Sequence, residues 1–439
     1  MSTQPLFSEC DLPPQVRPQP AAAALEAPRL LLADRRQLQM GVVDLEELLA
    51  SDHRARAMWD AAEQLDLSAY YEGIAARGST AGRPAIDPKI LVTLWLYATS
   101  EGVGSARHIE RLCRRDDAYR WICGGVSVNH HTLSDFRVER VEELDALLTQ
   151  VLAVMMHQGL VKLNRVAQDG MRVRASAGAA SFRREGSLKE CLKTAQEQVE
   201  RTKEEMDRPD VQRGPRERAA AERAARERKE RVQRALEELP KAREAKDTEK
   251  ARENARVSTT DAEARVMKMG DGGFRPGYNV QLATDTESRV IVGVTVSNIG
   301  NDSSQMEPML ADVERRTGAM PEQYLVDGGF TKLEAIEKVS ERGVEVYAPP
   351  PTPRKEGIDR YKAKDGDSAP IAEWRERMGT LEAKEIYKER ASTAESVNAD
   401  LRHWRRLDKL PVRGQRKVLA LVLWAVLAYN LAKLYPTKP

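Results

Sequence analysis

Three carboxylates stand in settings suited to one metal site. Asp169 ends Arg165-Val166-Ala167-Gln168-Asp169, Asp327 ends Tyr324-Leu325-Val326-Asp327, and Glu395 lies in the helical stretch Tyr387–Glu395. Each aspartate ends a run that reads as a strand. Two strand-end aspartates and a helix-borne glutamate can hold divalent metal beside a phosphodiester. Mg²⁺ and Mn²⁺ prefer hard oxygen ligands, and Mg²⁺ commonly uses few carboxylates with water and phosphate oxygens. Two such ions, ~3.5–4 Å apart, activate an attacking oxygen and stabilise a leaving one without a covalent nucleophile. The sequence holds no G-x-S-x-G elbow, no P-loop and no G-x-G-x-x-G.

Taken singly, each acid also has a bland reading. Asp169 and Asp327 precede glycines and suit turns, and Glu395 suits a polar helix surface. Their order and their strand, strand and helix settings argue together for one site. Among competitors, Asp285 sits in a hairpin turn, and Asp302 reads as the cap of the next helix. Glu389 and Asp400 share the helix of Glu395 and stay open as alternatives. Arg402 is seven residues past Glu395, two helical turns on and so on the same face, where a cation can hold a phosphate. Gly170 and Gly328-Gly329 leave room for a close DNA backbone.

The elements that must position these groups are legible in outline. Residues 1–40 are rich in Pro and Ala and read as a flexible arm. Residues 41–160 are helical, with apolar faces at Asp44–Leu49 and Ile90–Tyr97 and Pro88 in a first turn. Helices are expected over Ser105–Cys113, Asp117–Ile122 and from Asn129, a cap residue, onward; Gly124-Gly125 separates the last two. This is the layout of a helix-turn-helix. Arg107, Arg111, Arg114, Arg115, Arg137 and Arg140 would supply phosphate-seeking charge, against the alternative of a plain bundle with solvated arginines.

Val161–Asp169 reads as a strand, with a bend at Gly170 and a second extended piece. Residues 181–268 form a charged insertion. Its Glu, Arg, Lys and Ala favour long helices, divided by Pro209, Pro215 and Pro240 into a protruding hairpin. Tyr278–Thr284 and Val290–Val296 flank a turn at Asp285–Ser288. A helix at 304–316, a strand at 323–326, a helix at 332–342 and a strand at 344–348 follow. The fold class is therefore α/β, a mixed sheet with flanking helices. If the strand before Asp327 lies beside the strand of Asp169, both carboxylates emerge at one sheet edge.

The 439 residues allow about two to four domains. Hydrophobic content of 41% supports a core, and 31% charged residues leave solvated helices. A net charge of +2 gives no global basic field, so a nucleic-acid partner must be met by local patches. Cys10, Cys113, Cys123 and Cys191 form no CxxC pair and read as reduced thiols. The N-terminus shows no secretory pattern. Val418–Ala432 is apolar, but its 15 residues are short of the ~20 that a bilayer needs. With Asn430 inside it, it reads as a buried C-terminal helix packing on the core, within residues 411–439.

At this point the motifs resemble bacterial insertion-sequence transposases of the DDE type, over nearly the whole chain. His108–Cys113, Tyr119–Gly125 and His131–Arg137 look like that family's N-terminal helical domain. Ala167–Ala175 looks like its first-aspartate block, Tyr278–Gln281 with Asn301-Asp302 like the next, and Tyr324–Phe330 like the second-aspartate block. Tyr387, Arg390, Glu395 and Arg402 resemble its glutamate signature. Many members have Lys where Arg402 stands; the charge is kept on a planar fork in place of a point charge.

The resemblance implies a ribonuclease H-like core over 161–410, interrupted by the helical insertion after the first strand. It implies Asp169, Asp327 and Glu395 as metal ligands for Mg²⁺ or Mn²⁺, in two ions. Tyr387, Arg390 and Arg402 would contact DNA, with Arg107, Arg111, Arg137 and Arg140 in the helical DNA-binding domain at 41–160. The implied reaction is cleavage at terminal inverted repeats and transfer of a 3′-OH into target double-stranded DNA. A homo-oligomer, a cytoplasmic, nucleoid-associated location and no membrane partner go with it. The competing expectations are a catalytically silent DNA-binding or assembly protein derived from such an enzyme, and a nuclease that cuts without joining.

Overall fold

The computed structural model describes residues 42–77, 84–207, 214–353 and 357–435. The expected arm at 1–40 and Pro209 lie outside them. Helical segments come first: α1 (Arg54–Gln64), α2 (Ser68–Glu72), α3 (Pro88–Ser100), α4 (Ala106–Arg115), α5 (Asp117–Cys123), α6 (His130–Glu139) and α7 (Val141–His157). Their starts follow from local chemistry. Asp87 accepts from Lys89 N with Pro88 in the first turn of α3, Ser105 caps α4, Asp116 caps α5 and Asn129 caps α6 through Thr132 N. Gly124 and Gly125, with φ of +52° and +82°, end α5 in the left-handed region that glycine adopts freely. Asp44–Leu49 yields only a single 3₁₀ turn, at Glu46–Leu48.

The sheet strands are β1 (Arg165–Arg174), a short β2 (Phe182–Arg183), then after two long helices β3 (Val257–Ser258), β4 (Arg265–Lys268), β5 (Phe274–Asp285), β6 (Ile291–Ser297), β7 (Gln323–Leu325) and β8 (Glu345–Tyr347). β1 runs antiparallel to β5 and parallel to β7, which runs parallel to β8. β6 and β4 both pair with β5, on the edge away from β1. The result is a mixed sheet in which β7 lies directly beside β1, as the shared edge for the two aspartates requires. β4 falls within the stretch read as insertion, yet it pairs with β5; the sheet, not the insertion, holds Arg265–Lys268.

The expected bend at Gly170 is absent. β1 is a single strand whose pairing with β5 continues from Val166 to Arg174, so Asp169 sits inside a strand and not at its end. Only on the other side does the ladder stop, because the pairing with β7 covers just Arg165–Ala167. Asp169 therefore lies on a stretch of β1 that is open on that side.

The insertion is a helical hairpin of α8 (Glu185–Asp207) and α9 (Pro215–Glu244), followed by α10 (Glu249–Glu253). The pair β2–β3 closes its neck. Pro215 starts α9, but Pro240 sits inside it and does not divide it. Leu188, Ala195, Ala225, Val232, Ala235 and Leu239 are buried; alanines supply much of the seam that the sparse large side chains do not announce.

The remaining helices are α11 (Met306–Thr317), α12 (Leu333–Glu341), α13 (Ala369–Gly379), α14 (Leu381–Ala399) and α15 (Gln415–Leu434). Where α13 stands, the sequence pattern signals only a polar connection. α15 is the one described helix long and apolar enough to cross a membrane, but Val422–Ala428 is buried throughout. Asn430 also accepts from Ile291 N and donates to Ile291 O, binding α15 to β6. Trp424 donates to Arg137 O and Trp95 to Leu133 O, so α3, α6 and α15 share their packing. One core cluster runs from Leu49 to Leu431, joining the helical segment to the sheet.

Candidate active site

Register explains how two acids 158 residues apart become neighbours. Ala167 pairs with Leu325 in the parallel β1–β7 ladder. Asp169 and Asp327 are each two residues further on. Side chains two apart on a strand share a face, so the aspartates occupy matching positions beyond the end of the paired segment. Between them stands a cation: Arg390 Nη2 is 2.9 Å from Asp169 Oδ1 and 3.6 Å from Asp327 Oδ2.

The other oxygen of each carboxylate is committed. Asn398 Nδ2 donates to Asp169 Oδ2 at 2.7 Å, and Gly329 N donates to Asp327 Oδ1 at 2.7 Å. The second bond comes from the 3₁₀ turn Gly328–Phe330, which Asp327 caps. Each aspartate thus keeps one oxygen fixed and turns the other toward a shared positive charge. Burial pushes the Asp169 carboxyl above the usual aspartate range; Arg390 opposes this and Asp327 adds to it.

Arg390, Asn398 and the half-buried Tyr387 all come from α14, within three to four turns of one helix. Burial raises the Tyr387 hydroxyl's pKa, Arg390 lowers it, and Asp327 and Asp169 raise it; the phenol lies in the field of the pair. The Nε of Arg390 is buried without a hydrogen-bond partner. An orphaned guanidinium donor beside two carboxylates is a group prepared for a further acceptor.

Glu395 does not join them here. It is exposed on α14, and among the described residues no group of three His, Cys, Asp or Glu side chains is placed to hold a metal ion. Arg402 departs from the expected helix face. α14 ends at Ala399 and the chain widens into a π turn over Asp400–Trp404. Seven residues then no longer make two α-turns, and Arg402 lies near Gly270. Wider turns of this kind are frequent at functional sites.

The competing acids are accounted for. Asp285 accepts from Ser288 N and Oγ in the hairpin turn. Glu389 pairs with Arg165 at 2.5 Å and Asp400 with Arg405 at 2.9 Å. Asp302, expected as a cap, is not one: α11 begins later, after Gln305. Instead Asp302 accepts from Asn279 at 2.7 Å, Gln281 at 2.6 Å and Arg172 at 2.7 Å. It lies over Gly170, where an added Cβ would come within 2.5 Å of both Asp302 Oδ1 and Gln281 Nε2. The small residue makes room for this cluster. The resemblance groups Tyr278–Gln281 with Asn301-Asp302, but their contact with Gly170 and Arg172 of β1 is set by strand pairing. A buried chain of hydrogen bonds continues it: Tyr324 to Gln168 at 2.7 Å and Gln168 to Gln281 at 2.8 Å.

The N-terminal arginines divide. Arg107 and Arg111 are exposed along one face of α4 with Arg114 and Arg115. Arg137 is buried at 9% exposure, donates to Gly104 O at 2.7 Å and lies 4.7 Å from the Trp95 ring centroid. Burial pushes its pKa down to about 10. It is a packing residue, contrary to the expected DNA contact. Arg140 is half-buried and paired with Glu143 at 2.9 Å, so it too is engaged within the protein.

Two aspartates at matching positions just past the β1–β7 ladder, held by a helix that also carries Tyr387 and Glu395, form a candidate site for phosphodiester chemistry. Comparison with known families agrees with this class. Residues 241–431 match the model of the transposase DDE domain, and residues 43–139 match that of a transposase domain. The two matches support an insertion-sequence transposase of the DDE type. No curated protein and no solved structure matched it. Asp327, Arg390, Glu395 and Arg402 fall within the first matched span. Asp169 precedes it, and β1–β7 pairing puts it beside Asp327.

Proposed function

We propose that the protein cleaves DNA at the ends of its element and joins the freed 3′ end to target DNA. The observation that carries this is the matched placement of Asp169 and Asp327 around one cation. The strand order β6-β5-β1-β7-β8, antiparallel through β1 and parallel beyond it, supports a ribonuclease H-like core.

The donor set fits a divalent ion. Two hard carboxylate oxygens face one positive charge, and Mg²⁺ is commonly held by one or two carboxylates with water and phosphate oxygens. Asp169 and Asp327 would hold it, with Glu395 of α14 as the third ligand. Bound there, divalent metal supplies an activated attacking oxygen and a neutralised leaving oxygen, most simply as two ions. Arg390 would serve the phosphate, which would give its buried Nε an acceptor. Tyr387 lends a hydroxyl to the same phosphate, and Arg402 a fork of donors beyond the π turn. Exposed Arg107 and Arg111 contact the duplex backbone away from the cut. Joining two ends requires a homo-oligomer on DNA, and a cytoplasmic, nucleoid-associated location follows.

The test is cleavage and strand transfer on labelled DNA carrying the flanking element ends, with Mg²⁺, Mn²⁺ or chelator. Metal-dependent nicking and joined product, both abolished in Asp169→Asn, Asp327→Asn and Glu395→Gln, are expected. Full activity in all three folded variants would overturn the assignment. Binding without cleavage under any metal condition would make this a silent assembly protein; nicking without joined product would make it a nuclease.

A further inference from the structure

Between the helical hairpin and the body of the protein lies a cavity of about 300 Å³ whose charged lining is entirely cationic. Its walls include Cys191 of α8, Arg228 and Arg231 of α9, Thr259 and Thr260 just after β3, and Arg413 ahead of α15. Four separate stretches of chain converge there. We propose that this cavity is a phosphate site that seats the DNA backbone, so that the insertion helps to hold the duplex. This rests on the DNA-processing reading above.

The argument is one of unneutralised charge. Arg413 makes no hydrogen bond or ion pair among the described residues. Arg231 reaches Glu227 only loosely, at 3.8 Å. Arg228 donates to Gln198 across the hairpin at 2.9 Å, which steadies it without neutralising it. A second cavity of about 290 Å³ adjoins, sharing Arg231, Thr260 and Arg413, and there acids appear. Of those acids only Glu238 is paired with cations among the described residues; Asp261 and Glu263 are held in place by neutral donors. Glu238 binds Lys241 and Arg265, Glu263 accepts from Gln415 N, and Asp261 accepts from Tyr278 and Gly414 N. The acids line only that neighbouring cavity, and Arg228, Arg231 and Arg413 line the first one with no acid among them. Arginine forks matched to two or three oxygens, with a threonine hydroxyl beside them, are a recognition set for phosphate.

Position supports DNA as the source of that phosphate. The segment leading to Arg413 pairs with the end of β1: Arg174 N donates to Asp408 O and Leu410 N to Arg174 O. Arg174 is five residues past Asp169 on the same strand, roughly 17 Å. A duplex crossing the aspartates covers that span in about five base pairs.

The experiment measures binding of the full chain to labelled duplex carrying an element end, across a salt series without metal. Wild type, Arg231→Gln/Arg413→Gln and Arg231→Lys/Arg413→Lys are compared, after thermal melts establish that each is folded. The Gln pair should weaken binding about equally for end-containing and unrelated duplex. Its slope of log affinity on log salt should fall by about 1 for each phosphate that is no longer neutralised, and the Lys pair should restore most of it. Unchanged affinity and slope in the Gln pair would overturn the proposal. Inorganic phosphate is the second probe. If it stabilises wild type but not the Gln pair while duplex binding is unaffected, the cavity takes free phosphate and the DNA assignment fails. If wild type binds no duplex at all, the transposase reading falls with it.

Discussion

The Asn398 amide holds the Asp169 carboxylate by its Oδ2, at 2.7 Å, leaving Oδ1 to face Asp327 across Arg390. A neutral donor fixes the rotation of a carboxylate without competing for its charge. Groups that orient a ligand in this way are worth about 10–100-fold in metal affinity or activity. Asn398→Ala should therefore weaken Mn²⁺ binding to the DNA-free protein about tenfold. Electron paramagnetic resonance of free Mn²⁺ reads this directly. Metal-free DNA binding should not change, and an unaltered Mn²⁺ affinity would remove Asn398 from this role.

Gly170→Ala should destabilise the fold by about 1–3 kcal/mol through overpacking. Its Cβ meets Asp302 and Gln281, both held in a hydrogen-bonded cluster with little freedom to retreat. Urea unfolding measures the difference. A stable variant with weakened DNA binding would instead support the open-approach role expected from sequence.

Arg137 and the α4 arginines should separate stability from DNA affinity. Arg137→Ala removes a buried hydrogen bond and a cation–ring interaction, lowering the unfolding free energy by about 2 kcal/mol. Arg107→Ala and Arg111→Ala should leave the melting midpoint in place. Each should lower the salt slope of DNA binding by about 1. The reverse pattern would restore Arg137 to the interface and dismiss α4.

Asp261 provides a pH test away from the metal ligands. Burial raises its pKa, with the Tyr278 hydrogen bond opposing, and its Oδ2 is buried without a partner. A raised folded pKa means that stability is fully present below the unfolded value and is lost as pH rises through the folded one. At neutral pH the charged form is destabilising. Asp261→Asn should be more stable than wild type at pH 7, and the advantage should vanish near pH 3. Urea melts at the two values decide it; equal stability at pH 7 would show that the carboxylate is relieved by another group.

Much of the site is legible in the sequence because it depends on local pattern. Asp169 and Asp327 end runs that read as strands, and α14 shows its Tyr and Arg at helical spacing. The start at Pro88, the cap at Asn129 and the break at Gly124 are likewise statements about adjacent residues. Misreadings arise where the partner is distant. Arg137 looks like a surface cation until α3 places Trp95 against it. Asp302 looks like a cap until β5 brings Asn279 and Gln281 beneath it. Arg402 looks helical because a π turn leaves no clear signature in composition.

By itself the sequence determined the order of the main strands and helices, though not β4 or α13, and the hairpin that interrupts them, since propensity, capping and period act over a few residues. Only the tertiary structure decided that β7 lies against β1 in a register matching Asp169 to Asp327. It alone put Arg390 and Asn398 on those oxygens and left Glu395 outside. Pairing and packing join residues that are far apart in the chain, and no local rule carries that information.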